Sequence, residues 1–170
     1  MIKFKKIVLE LSLKDRAEDI AQIVHSGQNR RSSGAPYIIH PVRVQLLAKR
    51  FGLGNDEQLI AILHDTYEDS NNKSLVIANI NNKFGNEIAK NVIALSHEQG
   101  TDYTNYVYEL SKKYPKAFNV KLLDMYDNLI DNPSSSQKIK YSETLLFLIN
   151  HGVRINNGIK NDLMKIIGRK

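Results

Sequence analysis

Apolar residues recur along this chain at the three- and four-residue spacing of helices, and strand-like alternation is absent. Ile7, Leu11, Ala17, Ile20, Ala21 and Val24 predict a helix over 7–24 with a break near Ser12. Residues 26–36 are polar and glycine-containing, and predict a loop. A helix over 42–51 opens just after Pro41 and ends at Gly52–Gly54. Asn55 is a good cap for the next helix, which runs through Leu59, Ile62 and Leu63 to about Tyr67. Helices over 75–84 and 87–96 flank Gly85, and helices over 103–114 and 116–131 are divided by Pro115. Two more cover 137–150 and 160–167. The fold class is all-α, a single irregular helical bundle without internal repeats.

Composition narrows the class. The 170 residues are 42% hydrophobic and 25% charged, a globular balance in a length that suits one domain over 1–170. No apolar run approaches the ~20 residues of a membrane span, and the N-terminus lacks the apolar stretch of a signal peptide. The chain has no cysteine, which excludes disulfides, thiolate metal sites and cysteine nucleophiles and suits a cytoplasmic setting. A net charge of +6 favours anionic partners. Nucleic acid ranks low among them, because neither a recognition-helix signature nor a concentrated basic stripe is present.

The informative stretch is Ala61–Asp69. It begins apolar and then places His64, Asp65, Glu68 and Asp69 within six residues. On a continuous helix these four fit an arc of about 140°, with His64 above Glu68 and Asp65 above Asp69. Carboxylates held so close repel one another and resist ionisation unless a cation joins them. The bland alternative is a helix end fraying into solvent. Two further segments supply partners. Asp124 sits in an apolar helical pattern where a lone carboxylate is costly to bury, although it could be a half-exposed acid paired with Lys121. His40 is delivered to a helix start by the apolar run before it. Two histidines and two aspartates form a nitrogen and oxygen set suited to manganese, iron, zinc or magnesium. His25, His97 and His151 follow helical segments and are expected to be structural.

Three blocks resemble the HD-domain hydrolases of the Rel/SpoT type, and the length resembles the small stand-alone alarmone hydrolases. They are His25–Pro41, Ile62–Asp69 and Lys121–Asn128, with a weaker match over Asn82–Val92; together they span roughly Ile20 to Asp131. The resemblance implies a bundle of HD-domain type. It implies hydrolysis of the 3′-diphosphate of guanosine tetra- or pentaphosphate, giving GDP or GTP and pyrophosphate, usually with Mn2+. Carried over by motif, His40, His64, Asp65 and Asp124 are the metal ligands. Glu68 and Asp69 assist the attacking water, while Arg31 and Asn128 contact the nucleotide. Arg30 and Ser32 adjoin Arg31 and join the expected substrate site.

Several positions depart from the family pattern. Ser32, Met125 and Ile130 stand where basic residues are common, and Asp127 adds an acid. Each change is expected to make the surroundings of the phosphates less positive. That leaves a second reading open: a related HD phosphohydrolase acting on another nucleotide, such as an adenosine alarmone, a deoxynucleotide or a phosphorylated dinucleotide cofactor. About forty residues follow Asp131, too few for a synthetase-like second domain. They are expected to complete the bundle or form a subunit contact, and the oligomeric state stays open.

Overall fold

A computed structural model describes the backbone of residues 2–98 and 100–168 and the side chains of 13–98 and 100–168. The chain forms ten helices among these residues: α1 (Ile2–Val24), α2 (Ile39–Arg50), α3 (Asn55–Leu63), α4 (Thr66–Asp69), α5 (Lys73–Phe84), α6 (Asn86–Ala94), α7 (Tyr103–Lys113), α8 (Pro115–Ile130), α9 (Ser135–Asn150) and α10 (Asn157–Ile166). An isolated bridge between Asn29 and Pro36 closes the loop after α1. The all-α expectation holds. No described helix is long and apolar enough to cross a membrane.

Local chemistry explains most boundaries. Pro115 occupies the first turn of α8, where its missing N–H costs nothing. Gly85 separates α5 from α6 with φ of 89°, a left-handed value that a side chain would resist. Ser134 and Gln137 form a reciprocal capping box at α9. Asp102 caps α7, and Asn156 caps α10.

Four expected boundaries need correction. The first helix is unbroken at Ser12; the side chains of Ile7 and Leu11 lie outside the described residues. The second helix starts before Pro41, at Ile39, so His40 and Pro41 are both inside its first turn. That position is tolerated because first-turn N–H groups have no intrahelical acceptor. Gly54 rather than Asn55 is the cap of α3. The helix expected to run on to Tyr67 is interrupted after Leu63.

The core is organised around α8, which packs against α2, α3, α6, α7, α9 and α10. Eight consecutive positions, Val120 to Asp127, are buried. A helix enclosed on all sides is normally apolar throughout, yet this one buries Lys121, Asp124 and Asp127. Their partners define the site.

Candidate metal centre

His40 enters from the first turn of α2, His64 and Asp65 from the interruption after α3, and Asp124 from the middle of α8. The interruption is held by side chains. Thr66 Oγ1 donates to the Leu63 carbonyl at 2.7 Å, and His64 Nδ1 lies 2.7 Å from the Ala61 carbonyl. A carbonyl only accepts, so Nδ1 carries the hydrogen and a neutral His64 ring keeps its lone pair on Nε2. That Nε2 is buried and makes no hydrogen bond, even though Asp65 Oδ2 is 2.9 Å away. A buried ring nitrogen left unpartnered beside a carboxylate needs an explanation, and a cation between them supplies one.

Ligand atoms of His40, His64 and Asp65 all lie within 4.8 Å of one another. His40 Nε2 is 3.7 Å from Asp65 Oδ2 and 3.1 Å from Asp124 Oδ1; the latter oxygen is 3.9 Å from His64 Nε2. The structure therefore groups His40, His64 and Asp65 and sets Asp124 against both imidazoles. Asp124 is buried rather than half-exposed, and the pairing with Lys121 is also present, at 2.9 Å to its other oxygen. Asn128 Nδ2 donates to Asp124 Oδ1 at 2.6 Å. Tyr37, which the motif reading passed over, donates from its hydroxyl to Asp65 Oδ2 at 2.7 Å.

The electrostatics follow from burial set against neighbours. Burial alone would raise the carboxyls of Asp65 and Asp124. The His64 ring reverses this for Asp65 and the Lys121 ammonium for Asp124, and both sit below the ordinary range. Burial would lower His40, but hydrogen bonds with Asp124 and Asp127 bring it up to about 9. Asp69 moves the other way. Burial, then the charges of Asp65 and Glu68, push it up to about 6, into the range of a general acid or base.

Asp69 also lines a cleft of about 1100 Å³ together with Arg30, Arg31, Ser32, Tyr37, Asn128 and Asp131. Tyr37 and Asn128 bond directly to Asp65 and Asp124, so cleft and cluster share a wall. Arg30 donates to Asp131 at 2.9 and 3.0 Å and to Asn128 at 2.9 Å, and Ser32 donates to Asp131 at 2.9 Å. Arg43 reaches the same carboxylate at 3.1 Å. Arg31 is exposed at the cleft and has no ion pair among the described residues. Glu68 is exposed and is not among the residues that line the cleft. Asp69 keeps a main-chain bond to Asp65 at 2.9 Å and still stacks on it.

The departures from the family pattern are resolved differently from the expectation. Met125 is wholly buried in the core. Ile130 is exposed and lines a separate apolar groove with Leu46 and Leu47. Asp127 is fully buried and bonded to His40 and Arg43, so its charge is spent inside the fold. None of the three lines the cleft. Asp131, which the sequence did not single out, lines it beside Asp69.

Of the remaining histidines, His151 Nδ1 lies 2.8 Å from the Phe147 carbonyl at the end of α9, and His97 contacts Thr101. His25 is buried nearer the site than expected. Its Nδ1 is 2.9 Å from Gln28 Oε1 and 3.5 Å from Asp69 Oδ2, and its ring lies 4.8 Å from that of Tyr37.

Comparison with known proteins bears on the fold and the family. The chain is 32% identical over 122 residues to the guanosine-3′,5′-bis(diphosphate) 3′-pyrophosphohydrolase of Aquifex aeolicus, covering 67% of this chain and 17% of that protein. It is 28% identical over 147 residues to a probable GTP pyrophosphokinase of Mycobacterium leprae, covering 79% of this chain and 18% of that protein. The chain thus spans less than a fifth of the length of these relatives. A solved structure described as a metazoan orthologue of SpoT that hydrolyses ppGpp superposes with a TM-score of 0.68 at 17% identity. It covers 91% of this chain and 93% of the other, which shows a shared fold. The HD-domain family model matches residues 17–113, a span that holds His40, His64 and Asp65. With more than half of its residues matched and the histidine–aspartate pair at the centre of the cluster, the chain belongs to the HD-domain family.

Proposed function

We propose that the chain hydrolyses the 3′-diphosphate of guanosine tetra- or pentaphosphate, giving GDP or GTP and pyrophosphate, with a divalent cation, manganese foremost. The observation that carries the reading is the meeting of two imidazoles and two carboxylates around a buried, unpartnered His64 Nε2. The names of the Aquifex protein and of a 42% identical stretch in Borreliella burgdorferi, also a 3′-pyrophosphohydrolase, support the substrate class.

His40, His64, Asp65 and Asp124 would hold the ion. When bound, it lowers the pKa of a coordinated water and polarises a phosphoryl oxygen. The chain's own residues then do the following. Asp69, at the junction of cluster and cleft, orients the water and takes its proton. The water oxygen bonds to the phosphorus attached to the ribose 3′-oxygen, the bond between that phosphorus and the 3′-oxygen breaks, and the 3′-oxygen ends with a proton. Arg31, exposed on the cleft and free of an ion pair among the described residues, meets the phosphates by charge-assisted hydrogen bonds. Asn128 and Ser32 orient the nucleotide, with Arg30 behind them. Residues 1–170 are taken as one hydrolytic unit, with α9 and α10 packed on α8.

One observation favours the second reading, an HD phosphohydrolase of another nucleotide. Arg30 is already bonded by Asp131, so the cleft presents less free positive charge than its arginines suggest. A panel of nucleotides incubated with Mn2+ separates the two. Pyrophosphate from ppGpp, lost on chelation, supports the first; orthophosphate from other nucleotides, with ppGpp untouched, supports the second.

A further inference from the structure

We propose that Asp127 is a positioning residue that holds His40 in its metal-binding tautomer. The inference rests on the divalent-cation reading above. Asp127 is 0% exposed, and its Oδ2 lies 2.6 Å from His40 Nδ1. A carboxylate only accepts, so Nδ1 donates, and Nε2 is the ring nitrogen whose lone pair a cation would take in exchange for any proton there. That nitrogen is the one facing Asp65 and Asp124. The short bond also fixes the ring plane. Arg43 closes the arrangement, donating to both oxygens of Asp127 at 2.7 and 2.9 Å.

The spacing makes this a clamp between two helices. His40 and Arg43 are three apart on α2, and Asp124 and Asp127 are three apart on α8, so each pair shares one helix face. One face of α8 thereby supplies both a ligand carboxylate and the outer partner of a ligand imidazole. The two imidazoles are held by different means. His64 leans on a main-chain carbonyl that no substitution removes, whereas the partner of His40 is a side chain and can be changed. Outer partners of metal-binding histidines orient the ring and raise its basicity. A bare ion pair between Asp127 and Arg43 would serve stability alone and leave metal affinity untouched. That difference makes the role testable.

Manganese binding is measured by calorimetry without nucleotide on wild type, Asp127→Asn and Asp127→Ala, with folding checked by circular dichroism. The expected result is a loss of affinity of about 10–100-fold for Asp127→Ala. A smaller loss is expected for Asp127→Asn, which keeps an accepting oxygen without the charge. Should Asp127→Ala fail to fold, ring-nitrogen NMR of zinc-loaded wild type decides, with His40 protonated at Nδ1 and metal-bound at Nε2. Affinity of folded Asp127→Ala within twofold of wild type, or a His40 proton on Nε2, overturns the role of Asp127 and leaves the metal reading standing. Wild type that binds neither manganese nor zinc overturns the metal reading itself.

Discussion

The cluster and the cleft that share the wall of Tyr37 and Asn128 are both rich in charge, but their charges are satisfied differently. At the cluster, His40, His64 and Asp65 converge with Asp124 against both imidazoles, and a buried nitrogen is left without a hydrogen bond. At the cleft, Asp131 collects Arg30, Ser32 and Arg43, and its acid is answered before any ligand arrives. The cluster is built mostly from helices, so its donors are held by packing. The cleft is built largely from the loop after α1 and the turn after α8, where side chains can exchange partners. On the proposed reading, one region takes an ion as built, whereas the other trades an internal pair for a substrate. Preorganisation belongs to the first and adjustment to the second.

The largest expected effect strikes the cluster. Asp65→Ala removes a proposed ligand and the acceptor of Tyr37, and is expected to abolish both manganese binding in calorimetry and pyrophosphate release. Unchanged turnover in that variant would sink the mechanism. Next come the two acids that follow. Asp69→Asn is expected to lower kcat by roughly 10²–10⁴, the usual weight of a positioned general acid or base. Glu68→Gln, exposed and away from the cleft, should change kcat far less. Equal losses in the two variants would restore Glu68 to a direct role.

The cleft should respond through binding instead. Asp131→Asn releases Arg30 and Arg43 from a charged acceptor. KM for the nucleotide is expected to fall by roughly tenfold, the order of a charge-assisted hydrogen bond, and the gain should shrink with salt. A rise in KM would show that Asp131 serves the substrate by holding Arg30 in place.

The smallest effect is a contrast in pH dependence, read by denaturant unfolding of metal-free protein. Burial tends to raise Asp131, but hydrogen bonds from Arg30, Ser32 and Arg43 hold it below its ordinary value of 3.8. Its contribution is therefore full above that value and is lost as pH falls below it. Asp69 has the opposite sign. With its folded value at about 6 against an ordinary 3.8, the native state holds more protons between the two, so stability declines as pH rises through that window. Asp69→Asn should remove the upper decline and Asp131→Asn should soften the lower one. The assignment fails if the two variants leave the profile parallel to that of wild type.

Much of the fold was legible because a helix announces itself locally. Periodic apolar residues with Pro115 and Gly85 between them placed α5 to α8 within about two residues, the usual error of helix ends. The four candidate ligands were legible as residue types that an apolar pattern would not otherwise contain. The interruption after Leu63 was not legible, because it depends on the hydroxyl of Thr66 and the ring of His64 bonding back to carbonyls, and neither residue type demands that.

What the sequence alone determined is most of the helices and the presence of His40, His64, Asp65 and Asp124 on three separated segments. Those follow from spacing between near neighbours. Tertiary structure decided the partners: Asp127 for His40 across 87 residues, and Asp131 for Arg30 across 101. An acid on a helix can pair with a neighbour, solvent or a distant histidine, and only packing α8 against α2 and the loop after α1 settled which.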